Sequence, residues 1–203
     1  VDTEDHLDPY KLLYLPNINL PKGNIRIADT SDMVFTFRDI EPKLNTIIHS
    51  WMNFSLSMGQ TLSPFFHDIN SGYSDIFYTF LNMVQTIETY SREVLGKFGR
   101  KTVSDKRIKD ILVNELKDLK YFQKLVKNQN RFIREYLDSR HCYVHNDETK
   151  TRLLKGKDLY FMNYKLKVIL IACFLRQTGL PDRDIDELLF RNKYYNWLLN
   201  YAY

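Results

Sequence analysis

The sequence predicts an all-α fold, a bundle of about five or six helices with short connections, preceded by a short extended N-terminal segment. Three observations carry that prediction. From Glu41 onward the apolar residues recur at helical spacing. The 203 residues include only 7 Gly and 6 Pro, too few turn formers for a many-stranded fold. The run from Val168 to Leu175 is apolar on every face, as expected of a helix at the centre of a bundle.

The elements follow in order. Residues 1–39 read as extended and irregular, with two prolines and a Lys-Gly-Asn turn in "YLPNINLPKGNIRI" and strand-like alternation in "MVFTFRDI". Residues 40–203 read as the helical domain. Its first helix carries Leu44, Ile47, Ile48, Trp51, Met52 and Leu56 on one stripe, with Pro42 suited to the first turn. "SPFFHDINSGYSD" breaks the pattern, and Ser74 or Asp75 caps the next helix, whose stripe runs from Phe77 through Phe80, Leu81, Val84, Ile87 and Ser91 to Val94. Gly96 and Gly99 end it. A helix capped by Ser104 or Asp105 runs on through Ile108, Leu112, Leu116, Leu119, Phe122 and Val126, and its outer face is rich in lysine. "QNRFIREYLDSRHCYVHND" continues as helix, with or without a break near Asn128. The apolar helix over Asp158–Gln177 and a last one after "TGLPD" complete the bundle.

Composition excludes several classes. Two cysteines make no disulfide framework, and Cys173 lies in the apolar run "KVILIACFL", so a reducing, cytoplasmic setting is expected. The opening "VDTEDHLDPY" is acidic with no apolar h-region, so no secretory leader is expected. The longest apolar run is too short to span a bilayer, so no membrane partner is expected. The chain begins at Val rather than Met, which suggests a piece of something longer. Its net charge of +4 is unevenly spread. Residues 1–96 carry 6 Lys/Arg against 12 Asp/Glu, and residues 97–134 carry 12 against 4. Clustered cations suit a polyanion, because phosphate contacts supply most nonspecific affinity for nucleic acid. A solvated helical face has the same composition.

That basic segment leads into "DSRHCYVHND" (138–147), where Arg140, His141 and His145 crowd together beside Cys142. Arg140 and His145 stand in an Arg-x4-His spacing that suits RNA phosphodiester cleavage. A histidine titrating near neutrality can take the proton of a 2′-hydroxyl, and an always-charged guanidinium can hold the scissile phosphate. The RNA supplies its own nucleophile, so neither metal nor cofactor is needed. The same residues fit an ordinary helix end. They also fit a metal site, with His141, His145 and Glu148 at i, i+4 and i+7. No fourth ligand is visible, His6, His49 and His67 have no paired spacing, and Cys142 stands where His-Glu-x-x-His needs Glu. Glu88 is a further anomaly, a carboxylate on or beside an apolar stripe that needs a partner. Arg92, one turn on, would make an unremarkable helix pair. Alternatively, Glu88 orients Arg140 or a histidine across the bundle. There is no Gly-rich phosphate loop, Cys-x-x-Cys pair or nucleophile elbow. The numerous Tyr and Phe fall mostly on helical stripes and are expected in the core.

With these residues in place, the chain resembles the HEPN superfamily, and within it the ApeA-like HEPN domains of bacterial phage-defence (abortive infection) proteins. "FLNMVQTIETYSRE" (80–93) resembles the family's first core helix. "LDSRHCYVHND" (137–147) resembles its Arg-x4-His signature. "LYFMNYKLKVILIACFLRQTGLPDRDIDELL" (159–189) resembles the apolar helix and Gly-Leu turn that follow. The resemblance covers about residues 70–200. It implies a helical bundle that forms a homodimer through the motif-bearing helices, and a metal-independent endoribonuclease in which Arg140 and His145 are catalytic and His141 and Glu88 support them. It also implies a β-rich N-terminal domain, of which residues 1–39 would be the tail, that senses a phage-derived trigger. The position after the Arg is often Asn in the family and is His141 here. Asp147 replaces the Tyr of the Arg-x4-His-x-Tyr signature found in members paired with a nucleotidyltransferase antitoxin, so that form of control is not supported. Some HEPN domains bind RNA or protein without cutting, which is the alternative reading.

Overall fold

The computed structural model describes residues 35–70, 75–96, 108–145 and 153–201, and every regular element among them is helical. The helices are α1 (Phe37–Ile40), α2 (Leu44–Met58), α3 (Leu62–Asn70), α4 (Ile76–Thr89), α5 (Lys120–Leu125), α6 (Gln129–His145), α7 (Gly156–Gln177), α8 (Asp182–Arg191) and α9 (Lys193–Tyr201). The all-α expectation holds, but the bundle is cut into more and shorter pieces than periodicity predicts.

The strand expected over "MVFTFRDI" is helical from Phe37 to Ile40. The Asp39 carboxylate accepts hydrogen bonds from the Thr36 amide (2.6 Å) and the Thr36 hydroxyl (2.8 Å), which folds this stretch into a capped turn. Arg191, at the end of α8, closes on the same carboxylate and holds its pKa well below the usual range. The break expected at "SPFFHDIN" is the helix α3. Pro64 lies in the first turn of α3, where a missing amide hydrogen costs nothing. The real stop comes earlier, at Gly59, whose φ of +55° suits a residue without a Cβ.

Asp75 is the cap of α4, its carboxylate accepting from the amides of Phe77 (2.7 Å) and Tyr78 (3.3 Å). Ser74, Gly99, Ser104 and Asp105 lie outside the described residues. The long helix expected through Val126 is interrupted at Leu116–Leu119. Asp186 of α8 caps the restart, accepting from the amides of Lys120 and Tyr121, both at 2.9 Å. A cap supplied from another helix contributes to stability like a local one. Asp186→Ala should therefore cost about 1–2 kcal/mol, read as a lowered midpoint in thermal denaturation, with Asp186→Asn recovering part of the loss. A second break precedes α6, where the Asn128 side chain accepts from the Arg131 amide (2.9 Å). The last predicted helix also divides at Asn192, whose side chain accepts from the amides of Tyr194 and Tyr195 and starts α9.

The core is built around α7. Its residues Val168 to Leu175 are all buried, as an all-round apolar run requires. Helix α4 packs on it through Phe80, Met83, Val84 and Ile87. Asn163 fixes the register of the two, its Nδ2 donating to the Ile76 carbonyl at 2.6 Å. Phe174 sits where α2, α3, α4 and α7 converge, with ring centroids 4.9 Å from Phe54, 5.0 Å from Phe65 and 6.1 Å from Tyr90. Cys173 is fully buried, and burial pushes its thiol pKa up, as befits a core residue rather than a reactive one. No helix among the described residues is long and apolar enough to cross a membrane.

Candidate active site

Glu88 occupies the last turn of α4, between buried Ile87 and buried Thr89. Beyond Thr89 the helix widens into a single π-type turn, Tyr90–Val94. Side-chain hydroxyls bond back to the backbone here, Thr86 to the Asn82 carbonyl (2.7 Å) and Ser91 to the Ile87 carbonyl (2.8 Å). Such bonds loosen the regular i to i−4 ladder, and single π turns of this kind are frequent at functional sites.

Across the bundle, α6 delivers Arg140 to Glu88. The Arg140 Nε and Nη2 both donate to Glu88 Oε1, at 2.9 and 2.6 Å. The pair is largely covered, with side-chain exposures of 12% for Arg140 and 25% for Glu88. Of the partners weighed for Glu88, which were Arg92, Arg140 or a histidine, Arg140 is the one these hydrogen bonds join to it. Arg92 is turned away by the π-type turn and pairs with its neighbour Glu93 (2.6 Å). The contacts use Nε and one hydrogen of Nη2. Nη1 makes no hydrogen bond to another of the described residues.

The helix carrying Arg140 is pinned on both sides of it. Ser139, fully buried, accepts from the Leu154 amide at 3.0 Å, and the Tyr143 hydroxyl donates to the Leu154 carbonyl at 2.6 Å. Tyr143 also packs edge-on against Phe77 (4.7 Å) and Phe80 (5.8 Å), and burial raises its hydroxyl pKa. The chain thus leaves α6 after the signature and returns at Leu154 to residues flanking Arg140. Sequence reasoning passed over Ser139 and Tyr143. Their signal was the cost of burying a hydroxyl on a helix face, which calls for a partner beyond the helix.

His145 is the last residue of α6, five positions after Arg140 on an uninterrupted helix. Its side chain, with Asp147 and Glu148, lies outside the described residues. His141 and Cys142 are half-buried. Among the described residues no group of His, Cys, Asp and Glu could hold a metal ion. The basic stretch can be followed from Ile108: Lys109, Lys117, Lys120, Lys124, Lys127, Arg131 and Arg134 are all exposed, and the last two share α6 with Arg140. Arg131 is partly neutralised by Glu135, at 2.7 Å. A cavity of about 460 Å³ opens between this ion pair and Leu153–Leu154.

Residues 81–184 match a family model described as Apea-like HEPN. The match runs from α4 through the first turn of α8 and so contains Glu88, the Arg140–His145 signature and the central helix. No curated protein and no solved structure matches the chain.

Proposed function

Because the chain belongs to the Apea-like HEPN family, a family of helical domains associated with RNA cleavage and defence, we propose that it is the metal-independent endoribonuclease domain of a cytoplasmic anti-phage protein. One observation carries this reading. A guanidinium held by a largely covered carboxylate through Nε and Nη2 sits on a helix whose fifth residue further on is a histidine.

His145 removes the proton from a ribose 2′-hydroxyl. The 2′-oxygen attacks the adjacent phosphorus, the bond to the 5′-oxygen breaks, and that oxygen leaves with a proton. The products are a 2′,3′-cyclic phosphate and a 5′-hydroxyl. Arg140 meets the negative charge that grows on the phosphoryl oxygens, Glu88 holds Arg140 in place, and His141 supports the signature from the same helix. His145 supplies one proton-transfer group per chain, while the reaction uses a base and an acid. A homodimer that brings two α6 helices together supplies both.

The test is incubation with total RNA in EDTA. The parent chain should cut, leave cyclic phosphate ends and lose activity on His145→Ala. A requirement for a divalent ion, or unchanged cutting by His145→Ala, overturns the reading. Salt-sensitive RNA binding without cleavage, indifferent to His145→Ala, identifies a non-catalytic binding module instead.

A further inference from the structure

Five aromatic residues gather between the first half of α7 and α9, where Tyr160, Tyr194 and Trp197 are exposed and Phe161 and Tyr164 lean on the edge of the core. Tyr160 and Tyr164 lie one turn apart with ring centroids at 4.8 Å and hydroxyls 3.2 Å apart. Phe161 packs edge-on against Tyr160 at 5.8 Å and is stacked on Trp197 at 6.1 Å, the two planes within 26°. Tyr194 stands near Tyr164. Burial first, then Tyr160 and Tyr194, push the Tyr164 hydroxyl pKa up to about 12. Tyr160 is 40% exposed, Trp197 41% and Tyr194 53%, which is unusual for rings with this much apolar area.

Ammonium groups lie over three of the rings: Lys157 over Phe161 (5.6 Å), Lys193 over Tyr194 (5.3 Å), and Lys167, mostly buried and donating to the Ile69 carbonyl at 3.4 Å, over Tyr164 (5.9 Å). Lys157 makes no ion pair among the described residues, and Asp158 beside it lies near enough to Arg131 on α6 to feel its charge. An apolar protein partner seated here would strip water from the Lys157 amine without replacing it, which is costly. An unpaired nucleic acid strand satisfies both features, with bases stacking on the rings and phosphates meeting the lysines. A duplex hides its base faces and does not. The surface also begins close in sequence to the candidate active site. Lys157 follows by three residues Leu154, which is bonded to Ser139 and Tyr143 on either side of Arg140.

We propose that Tyr160, Phe161, Tyr164, Tyr194 and Trp197, flanked by Lys157 and Lys193, form a stacking platform for unpaired RNA that leads the strand to the Arg140 end of α6. This rests on the reading of RNA as the ligand, but not on cleavage.

The experiment measures binding of fluorescein-labelled oligouridine and of an RNA duplex to the 203-residue chain at fixed salt, in a His145→Ala background so that the probe survives. Tyr194→Ala and Tyr160→Ala should each weaken oligouridine binding about tenfold, leave duplex binding unchanged and keep the parent's thermal midpoint. Tyr194→Phe should restore binding. Oligouridine affinity equal to that of the His145→Ala background in both Ala variants overturns the platform, as does a background chain that binds no oligouridine. A shift in sedimenting mass with unchanged RNA affinity also overturns it, showing a contact between copies of the chain. If chains with His145 intact cut RNA whether or not Tyr194 is replaced, and binding is unaffected, the platform fails while the nuclease reading stands. If they never cut but Tyr194→Ala loses oligouridine, the nuclease reading fails while the platform stands.

Discussion

With Arg140 replaced by Ala, RNA cleavage is expected to fall by about 10²–10³-fold, the usual loss when one preorganised donor to a developing oxyanion is removed. Arg140→Lys should recover little. An ammonium keeps the charge but cannot place two donors on Glu88 Oε1 while turning a further edge to a phosphate. Replacing Glu88 tests the other half of the pair. Glu88→Gln keeps the shape and an acceptor oxygen but removes the charge, and the guanidinium loses its fixed orientation. Because Arg140 is mostly covered, the loss of its counter-charge should also cost about 1–3 kcal/mol of stability. The two effects separate by kinetics. A positioning role lowers kcat well below the melting temperature and leaves the pH profile set by His145 unchanged. A purely structural role lowers the melting temperature and leaves kcat intact on the fraction that is folded. Parent-rate cutting by Arg140→Ala, checked by following defined RNA substrates over time, would remove Arg140 from the chemistry.

The pair also shows how far the sequence could be read. Glu88 stood out because a carboxylate on an apolar stripe needs a partner, and that argument is local. Choosing between Arg92 and Arg140 was not local. A regular helix would bring Arg92 one turn from Glu88, but the π-type turn at Tyr90 adds a residue and breaks that register. Nothing in the order of residues announces it, because it forms where the Thr89 hydroxyl meets Thr61 from a distant turn and the buried Ser91 hydroxyl bonds back to the Ile87 carbonyl. The interruption at Leu116–Leu119 was hidden for the same reason. Its cap, Asp186, is 66 residues from Lys120 and belongs to another helix. By contrast Asp75, Gly96 and the all-round apolar stretch of α7 act on their own neighbours, and those features were legible, while the break at Asn128 was left open between two readings. The division at Asn192 was legible in principle, since an Asn whose side chain accepts the next amides is a standard helix start. The apolar continuity of "ELLFRNKYYNWLL" concealed it. Gly59 was overlooked because the Ser-Pro pair four residues on looked like the stronger break, although a proline in a first turn breaks nothing.

Phe174→Ala should be the most destabilising single substitution in the core, costing about 3–5 kcal/mol. The ring is buried and touches aromatic residues of three other segments, so the neighbours cannot close over the cavity without moving whole helices. In a chain of this size each kcal/mol lowers the melting temperature by about 2–4 °C, so a fall of roughly 10–15 °C is expected. Phe174→Leu retains most of the volume and should cost much less. The substitution also bears on the site. Tyr90 packs on Phe174, accepts a hydrogen bond from Gln177 Nε2 at 2.9 Å, and opens the π-type turn two residues after Glu88. A cavity at Phe174 therefore frees the anchor of that turn, and Glu88 loses the frame that aims it at Arg140. Measured well below its melting point, Phe174→Ala should retain helical circular dichroism yet cut RNA more slowly than Phe174→Leu. Equal rates for the two, together with the expected fall in melting temperature, would show that the aromatic cluster stabilises the bundle without setting the geometry of the site.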